Sequence, residues 1–206
     1  MNEVKDNINE RLTIRYYDDR GESYAAQTLN VDVDAGMEGV RQDFLSMIPE
    51  KGFILDCGCG AGRDTLAFSK AGYPVLPLDG SAEMCRITEK NTGIKAVHKC
   101  FEDIDYEDMF DGIWASASLL HVARDELRDV LRKLRTAGKR NCALFMSFKY
   151  GDFDGIRDDR YYTDLNERNL DGVLENTGWK LDKYVITGDK LGRSELRWLN
   201  IFCRAE

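Results

Sequence analysis

An α/β fold, built as a doubly wound and mostly parallel seven-stranded sheet that closes on a C-terminal antiparallel hairpin, is the fold class this sequence predicts. Three observations carry it. Short apolar runs alternate with helix-periodic segments from residue 37 to residue 177, the rhythm of βα repeats. One of those runs, in "FILDCGCGAGRD" (residues 53–64), ends in an acid and passes straight into alternating glycines, as a buried strand does when it turns tightly into a helix. The segments "WKLDKYVIT" (179–187) and "ELRWLNIFC" (195–203) flank a turn, "GDKLGRS" (188–194), and read as an antiparallel pair.

Residues 1–35 show no sustained apolar stripe and read as an N-terminal arm or lid, irregular or partly helical. From Met37 the pattern changes: Met37, Val40, Phe44 and Ile48 recur at helical spacing until Pro49 stops the run. Residues 53–56 form the first strand, and Leu66, Ala67 and Phe68 lie in a helix ended by Gly72. Residues 74–79 form the second strand. Ser81 caps the next helix, with Glu83 in its first turn and Met84 and Ile87 facing inward. Residues 94–97 and 112–116 are the third and fourth strands. Over 124–136, Leu127, Val130, Leu131 and Leu134 make one apolar helical stripe. The fifth strand, 142–148, is apolar nearly throughout, as a strand buried on both faces must be. Residues 149–165 show no clear pattern and are long for a connection; Leu170, Val173 and Leu174 mark a helix near 166–177. With no internal repeat or linker, residues 36–206 read as one domain behind the arm.

Bulk properties narrow the function. A chain of 206 residues supports one sizeable core. A net charge of −8 argues against sequence-independent nucleic-acid binding, which depends on Lys and Arg neutralising phosphates; the densest basic run, 132–140, reads as a solvated helix face. No apolar run approaches the roughly 20 residues of a membrane helix, and the polar N-terminus has no signal-peptide core, so a cytoplasmic location with no membrane partner is expected. Six cysteines, at 57, 59, 85, 100, 142 and 203, include no C-x-x-C pair, and there are two histidines. That spacing does not suit zinc; no metal and reduced thiols are expected.

The glycine turn sits where open α/β sheets bind ligands, at the carboxyl end of a strand. Glycine lets a ligand lie against the backbone, and the helix start adds unpaired N–H groups. A polar, nucleotide-like group suits such a place. The dinucleotide fingerprint G-x-G-x-x-G, aligned on Gly58 and Gly60, requires a third glycine where Arg63 stands, and no G-K-[ST] follows for a phosphate loop. The spacing is instead D-x-G-x-G-x-G over Asp56, Gly58, Gly60 and Gly62. The second strand ends on Asp79, whose carboxylate suits a ribose diol.

Here the sequence resembles the class I S-adenosylmethionine-dependent methyltransferases, Rossmann-like enzymes. "ILDCGCGAG" is similar to their first motif and "LDGSAEM" to their second, and the resemblance spans about residues 37–204; small-molecule members of the tellurite-resistance type are the nearest likeness. It implies S-adenosyl-L-methionine as cofactor. Gly58, Gly60 and Gly62 would let its methionine part lie along the turn. Asp56 would orient the ammonium and Asp79 would hold the ribose; Arg63 departs from the family's usual residue at its position, and its charge suits the cofactor carboxylate. Gly80 and Met84 would flank the adenine, Phe101 and Glu102 would read its edge, and Ser116 would lie near the sulfonium. For Met84 and Phe101, core packing is the open alternative.

A sulfonium methyl is already activated, so the protein must bring a nucleophile in line and exclude water. His121, in "SASLLHV" after the fourth strand, is the candidate catalytic base; holding a backbone carbonyl or a lid is its alternative. Arg157, Arg160, Tyr161 and Tyr162 in the long connection suit an anionic or aromatic acceptor, and Tyr16, Tyr17 and Tyr24 of the arm would close over the site. The absence of an N-P-P-[YF] stretch and of a Pro-Cys pair points away from nucleic acid and toward a small-molecule acceptor. A non-catalytic nucleotide- or S-adenosylmethionine-binding regulatory module is the alternative function.

Overall fold

Seven strands, β1 (Ile54–Cys57), β2 (Val75–Asp79), β3 (Val97–His98), β4 (Phe110–Ala115), β5 (Gly138–Lys149), β8 (Trp179–Gly188) and β9 (Arg197–Ala205), form one sheet, while β6 (Asp154–Arg157) and β7 (Arg160–Thr163) form a separate ribbon. The computed structural model describes residues 8–29, 31–189 and 195–206. The strand order is β3-β2-β1-β4-β5-β9-β8. Pairs among the first five strands are parallel, and β9 runs antiparallel between β5 and β8. The order reverses between β1 and β4, so a crevice opens above their carboxyl ends. Among the described residues no helix is long and apolar enough to cross a membrane.

Two cores flank the sheet. On one face an aromatic cluster joins Phe44 of α2 (Val31–Leu45) to Phe68 of α3 (Arg63–Lys70), and to Trp114, Phe145 and Phe202 of the sheet. Trp114 and Phe145 stack with centroids 4.0 Å apart. On the other face, Leu127, Val130, Leu131 and Leu134 of α5 (Leu127–Ala137) bury the predicted stripe against β4 and β5, each full burial contributing about 1.5–3 kcal/mol. Helix α4 (Ala82–Thr92) starts as its sequence signals: Ser81 Oγ accepts the Met84 N–H at 3.1 Å, and Gly93 closes the helix in the left-handed region.

A buried charge hub pins these layers. Asp64 accepts hydrogen bonds from Arg41 Nη1 (2.9 Å), Arg63 Nη2 (2.7 Å) and Trp114 Nε1 (3.0 Å). Burial pushes the Asp64 carboxyl up, and the Arg63 and Arg41 guanidiniums outweigh that, holding it below the usual carboxylate range. One carboxylate thereby ties α2, α3 and β4.

Several elements differ from expectation. Within the arm, α1 (Ile8–Thr28) is a helix kinked at Arg20; its contacts with the body run through tyrosines and polar groups, which leave no apolar periodicity to read. The third strand shrinks to two residues and β5 starts four residues early. The helix near 166–177 narrows to α6 (Leu170–Leu174). The unpatterned stretch 149–165 holds the β6–β7 hairpin, whose two turn residues, Asp158 and Asp159, both have positive φ. That turn geometry favours Asn-Gly or Asp-Gly, so Asp-Asp gave no signal. Most of the turn expected over 188–194 lies outside the described residues, as do residues 1–7 and 30 of the arm.

Candidate functional site

The glycines after β1 are bare for different reasons. A Cβ on Gly58 (φ +84°) would sit 2.3 Å from Ser118 Cβ, and one on Gly62 (φ +83°) would sit 2.8 Å from Thr92 Cγ2. Both make room for the protein itself. Gly60 (φ +54°) differs: the nearest atom to its added Cβ is Tyr24 Cε1 at 3.9 Å, so its open side faces space. The turn is held by Asp79, which accepts the Gly60 N–H on one oxygen and the Ser81 N–H on the other, each at 2.9 Å.

Two cavities flank this turn. The larger, about 460 Å³, is lined by Asp79, Gly80, Met84, Phe101, Glu102 and His121 among others. The smaller, about 260 Å³, is lined by Asp56, Arg63, Arg160 and Tyr162, with Ser147 and Lys149 of β5, Thr187 of β8, and Trp198 and Asn200 of β9. Tyr17, Tyr24, Gly58, Gly60, Ser116 and Ala117 line both. Ala117 holds φ +51° although it carries a side chain, and its N–H donates to Ser147 Oγ at 2.8 Å. Backbone held in that region concentrates at functional sites.

Helix α1 roofs the crevice. Asp18 accepts from Ser81 Oγ at 2.6 Å, Glu22 pairs with Arg86 at 2.7 Å, and Arg20 reaches Asp159 at 3.5 Å. Under the roof, His121 Nδ1 lies 2.6 Å from the Tyr161 carbonyl oxygen. A carbonyl only accepts, so Nδ1 carries the proton and Nε2 accepts from the Tyr17 hydroxyl at 2.9 Å. Burial pushes the His121 pKa down to about 3, so the ring is neutral at physiological pH. Burial also raises Tyr17, with the nearby Tyr24 adding to the effect and Arg160 opposing it.

Asp56, at the end of β1, accepts from Thr65 Oγ1 at 2.5 Å. Burial first, then the neighbouring Asp64 charge, raises its pKa from 3.8 to about 7. A carboxyl raised on folding binds its proton more tightly in the native state. Its contribution is therefore complete at acid pH and lost as pH rises from about 4 to about 7. Asp56→Asn should remove that slope and stabilise the protein at pH 8 by up to about 4 kcal/mol. Urea unfolding of both forms at pH 5 and pH 8 checks it; an equal difference between them at the two pH values would refute the shift.

Most residues singled out from sequence thus converge on one crevice. Gly62 and Tyr161 do not line either cavity: Gly62 packs on α4, and the Tyr161 hydroxyl donates to Asp154 at 2.9 Å while only its carbonyl serves the site. Arg157 is engaged by Asp164 at 3.0 Å. Sequence reasoning missed Ser118, whose hydroxyl donates to the Cys57 carbonyl at 2.6 Å, and the wall of Ser147, Lys149, Trp198 and Asn200. A signal existed for two of them: Ser147 and Asn200 are polar residues inside otherwise apolar strands, and both are buried.

Comparison with known proteins points to methyltransferases. The methyltransferase-domain family matches residues 54–141. An uncharacterized methyltransferase of Staphylococcus carnosus (strain TM300) is 27% identical over 151 residues, 64% of this chain and 72% of that one. The Burkholderia thailandensis 1,6-didemethyltoxoflavin-N1-methyltransferase, solved with 1,6-didemethyltoxoflavin and S-adenosylhomocysteine, has a TM-score of 0.64 at 21% identity over 90% of each chain. The magnesium protoporphyrin IX methyltransferase of Synechocystis PCC 6803, solved with S-adenosylhomocysteine, has a TM-score of 0.76 at 14% identity, covering 96% of this chain and 100% of that one. Together with the strand order and the glycine turn, the family match and the Staphylococcus relative support an S-adenosylmethionine-dependent methyltransferase, and the solved structures share its class I fold.

Proposed function

We propose that S-adenosylmethionine fills the larger cavity and extends its methionine end past the shared wall to Asp56 and Arg63, and that the acceptor is a small molecule held in the rest of the smaller cavity. The observation that carries the reading is the shared wall: Tyr17, Tyr24, Gly58, Gly60, Ser116 and Ala117 border both cavities, so two ligands would meet there. A neighbour of the same fold that is named for, and holds, 1,6-didemethyltoxoflavin supports an acceptor of that size class.

The residues present fit the cofactor. Gly60 leaves open the volume a Cβ would fill, and Asp79, with each oxygen already accepting one backbone N–H, keeps acceptor capacity for a ribose diol. Gly80, Met84, Phe101 and Glu102 would enclose the adenine end. Asp56 would take the ammonium, Arg63 the carboxylate, and Ser116 the neighbourhood of the sulfonium. When bound, the cofactor supplies a methyl group activated for in-line displacement. Tyr17, Tyr24, Arg160 and Tyr162 would position the acceptor, Tyr161 contributing through its carbonyl, and residues 1–35 would act as a lid that excludes water. Both His121 nitrogens are engaged by protein, so in this reading His121 reaches the acceptor through Tyr17, whose hydroxyl it holds in place.

Calorimetric titration with S-adenosylhomocysteine and with NAD tests the cofactor assignment: tight binding of the first and none of the second is expected. Asp79→Ala should weaken S-adenosylhomocysteine by about 1–3 kcal/mol, the scale of lost hydrogen bonds to a charged group. Unchanged affinity would take Asp79 out of the ribose site. A radiolabelled methyl screen over thiols, amines, phenols and carboxylates then tests the small acceptor; no transfer to any of them would argue for a binding module.

A further inference from the structure

We propose that the acceptor carries a carboxylate on a planar aromatic body, and that Arg160 is the residue that selects it; this rests on the two-cavity reading above. Arg157 and Arg160 face each other across the two-residue turn of the β6–β7 hairpin, an arrangement of like charges that costs stability. The two guanidiniums are treated differently. Arg157 is answered by Asp164 at 3.0 Å. Arg160 has no carboxylate within 4.0 Å among the described residues; the Nε of both arginines is buried without a hydrogen-bond partner, so the carboxylate is the difference between them.

What surrounds Arg160 is aromatic. Its guanidinium lies 4.2 Å from the Tyr16 ring centroid and 5.2 Å from that of Tyr162, and its Nη1 donates to the Tyr17 hydroxyl at 3.5 Å. Ring faces hold a cation in place, but they supply no counter-charge, and a partly buried unpaired charge is costly. Of the four acids on the same cavity wall, Asp64 is taken by Arg41 and Arg63, Asp189 by the Trp198 indole N–H at 2.9 Å and Asp56 by Thr65, while Asp158, in the hairpin turn, makes no ion pair with Arg160. Lys149, 3.7 Å from the Tyr162 centroid, adds a second positive charge to that wall. A planar carboxylate satisfies a guanidinium better than any neutral group. The rings of Tyr24, Tyr162 and Trp198 provide flat surfaces for the body that carries it.

The test uses the full chain saturated with S-adenosylhomocysteine, titrated with benzoate and 4-hydroxybenzoate and with the matching amides, and read by calorimetry and by Trp198 fluorescence. Each acid should bind at least tenfold more tightly than its amide. In Arg160→Gln the two should come within twofold of each other, with S-adenosylhomocysteine affinity unchanged as proof of folding. Arg157→Gln should keep the wild-type preference. Equal binding of acid and amide by the wild type, binding of neither, or a preference that survives in Arg160→Gln overturns the proposal. Failure of the wild type to bind S-adenosylhomocysteine would instead remove the underlying reading, and the two failures are separately visible.

Discussion

Asp64→Ala should cost about 3–5 kcal/mol, the penalty for leaving a buried charge without its partner. Arg41 is 3% exposed, and Asp64 is the buried acid it meets. A second carboxylate contact, Glu38 at 3.2 Å, lies on the exposed rim. Removing Asp64 also strips the Trp114 indole of its acceptor at 3.0 Å, in the centre of the aromatic cluster. For a domain of this size the loss corresponds to roughly 6–20 °C in Tm. Because its folded pKa is depressed, the contribution of Asp64 is present above the ordinary carboxylate range and lost as pH falls through the lowered value. The gap between wild type and variant should therefore narrow in acid. Urea midpoints at pH 7 and pH 3 decide the matter, and a loss below about 1 kcal/mol at pH 7 would mean that the hub is an ordinary surface-strength pair. The paired change Arg41→Met with Asp64→Leu should recover part of the loss, since it removes the buried Arg41 charge together with Asp64 while Arg63 and the Trp114 indole still lack their acceptor.

Gly60→Val should abolish cofactor binding, at least a hundredfold in affinity or about 2.7 kcal/mol, in a protein that still folds. The valine would project into the space shared by the two cavities, where the nearest atom lies 3.9 Å from the new Cβ. Its cost to stability is the strain of a branched residue at φ +54°, about 1–3 kcal/mol. Gly62→Val is the contrasting case. Its Cβ would strike Thr92 and Thr88 at 2.8 and 3.2 Å, so it should lose about 3 kcal/mol or more of stability by overpacking and strain. Circular dichroism melts and S-adenosylhomocysteine calorimetry on both variants separate the two roles. A Gly60→Val protein that binds normally would show that no ligand approaches this backbone.

The half of the crevice proposed for the cofactor was far easier to read than the half proposed for the acceptor. Asp56, Gly60, Asp79 and Met84 lie in two continuous stretches, each at the end of a strand and the start of a helix, so local spacing places them. The wall proposed for the acceptor gathers Lys149, Arg160, Trp198 and Asn200 from two strands of the sheet and the hairpin. Only the antiparallel register of β9 against β5, with Ser147 opposite Asn200 and Lys149 opposite Trp198, brings most of them together. Helix α1 escaped because its docking uses scattered tyrosines and ion pairs, which have no period.

By itself the chain's order of residues determined the βα alternation, the closing hairpin, the two strand-end acids and the glycine turn between them. Each of these rests on local rules: apolar period, helix capping, and the φ freedom of glycine. The tertiary structure alone decided which glycine faces open space, that His121 is neutral and spends both nitrogens on the protein, and that Arg160 lacks the counter-charge Arg157 has. Those outcomes depend on burial and on partners far away in sequence, since desolvation and Coulomb terms act through space and not along the chain.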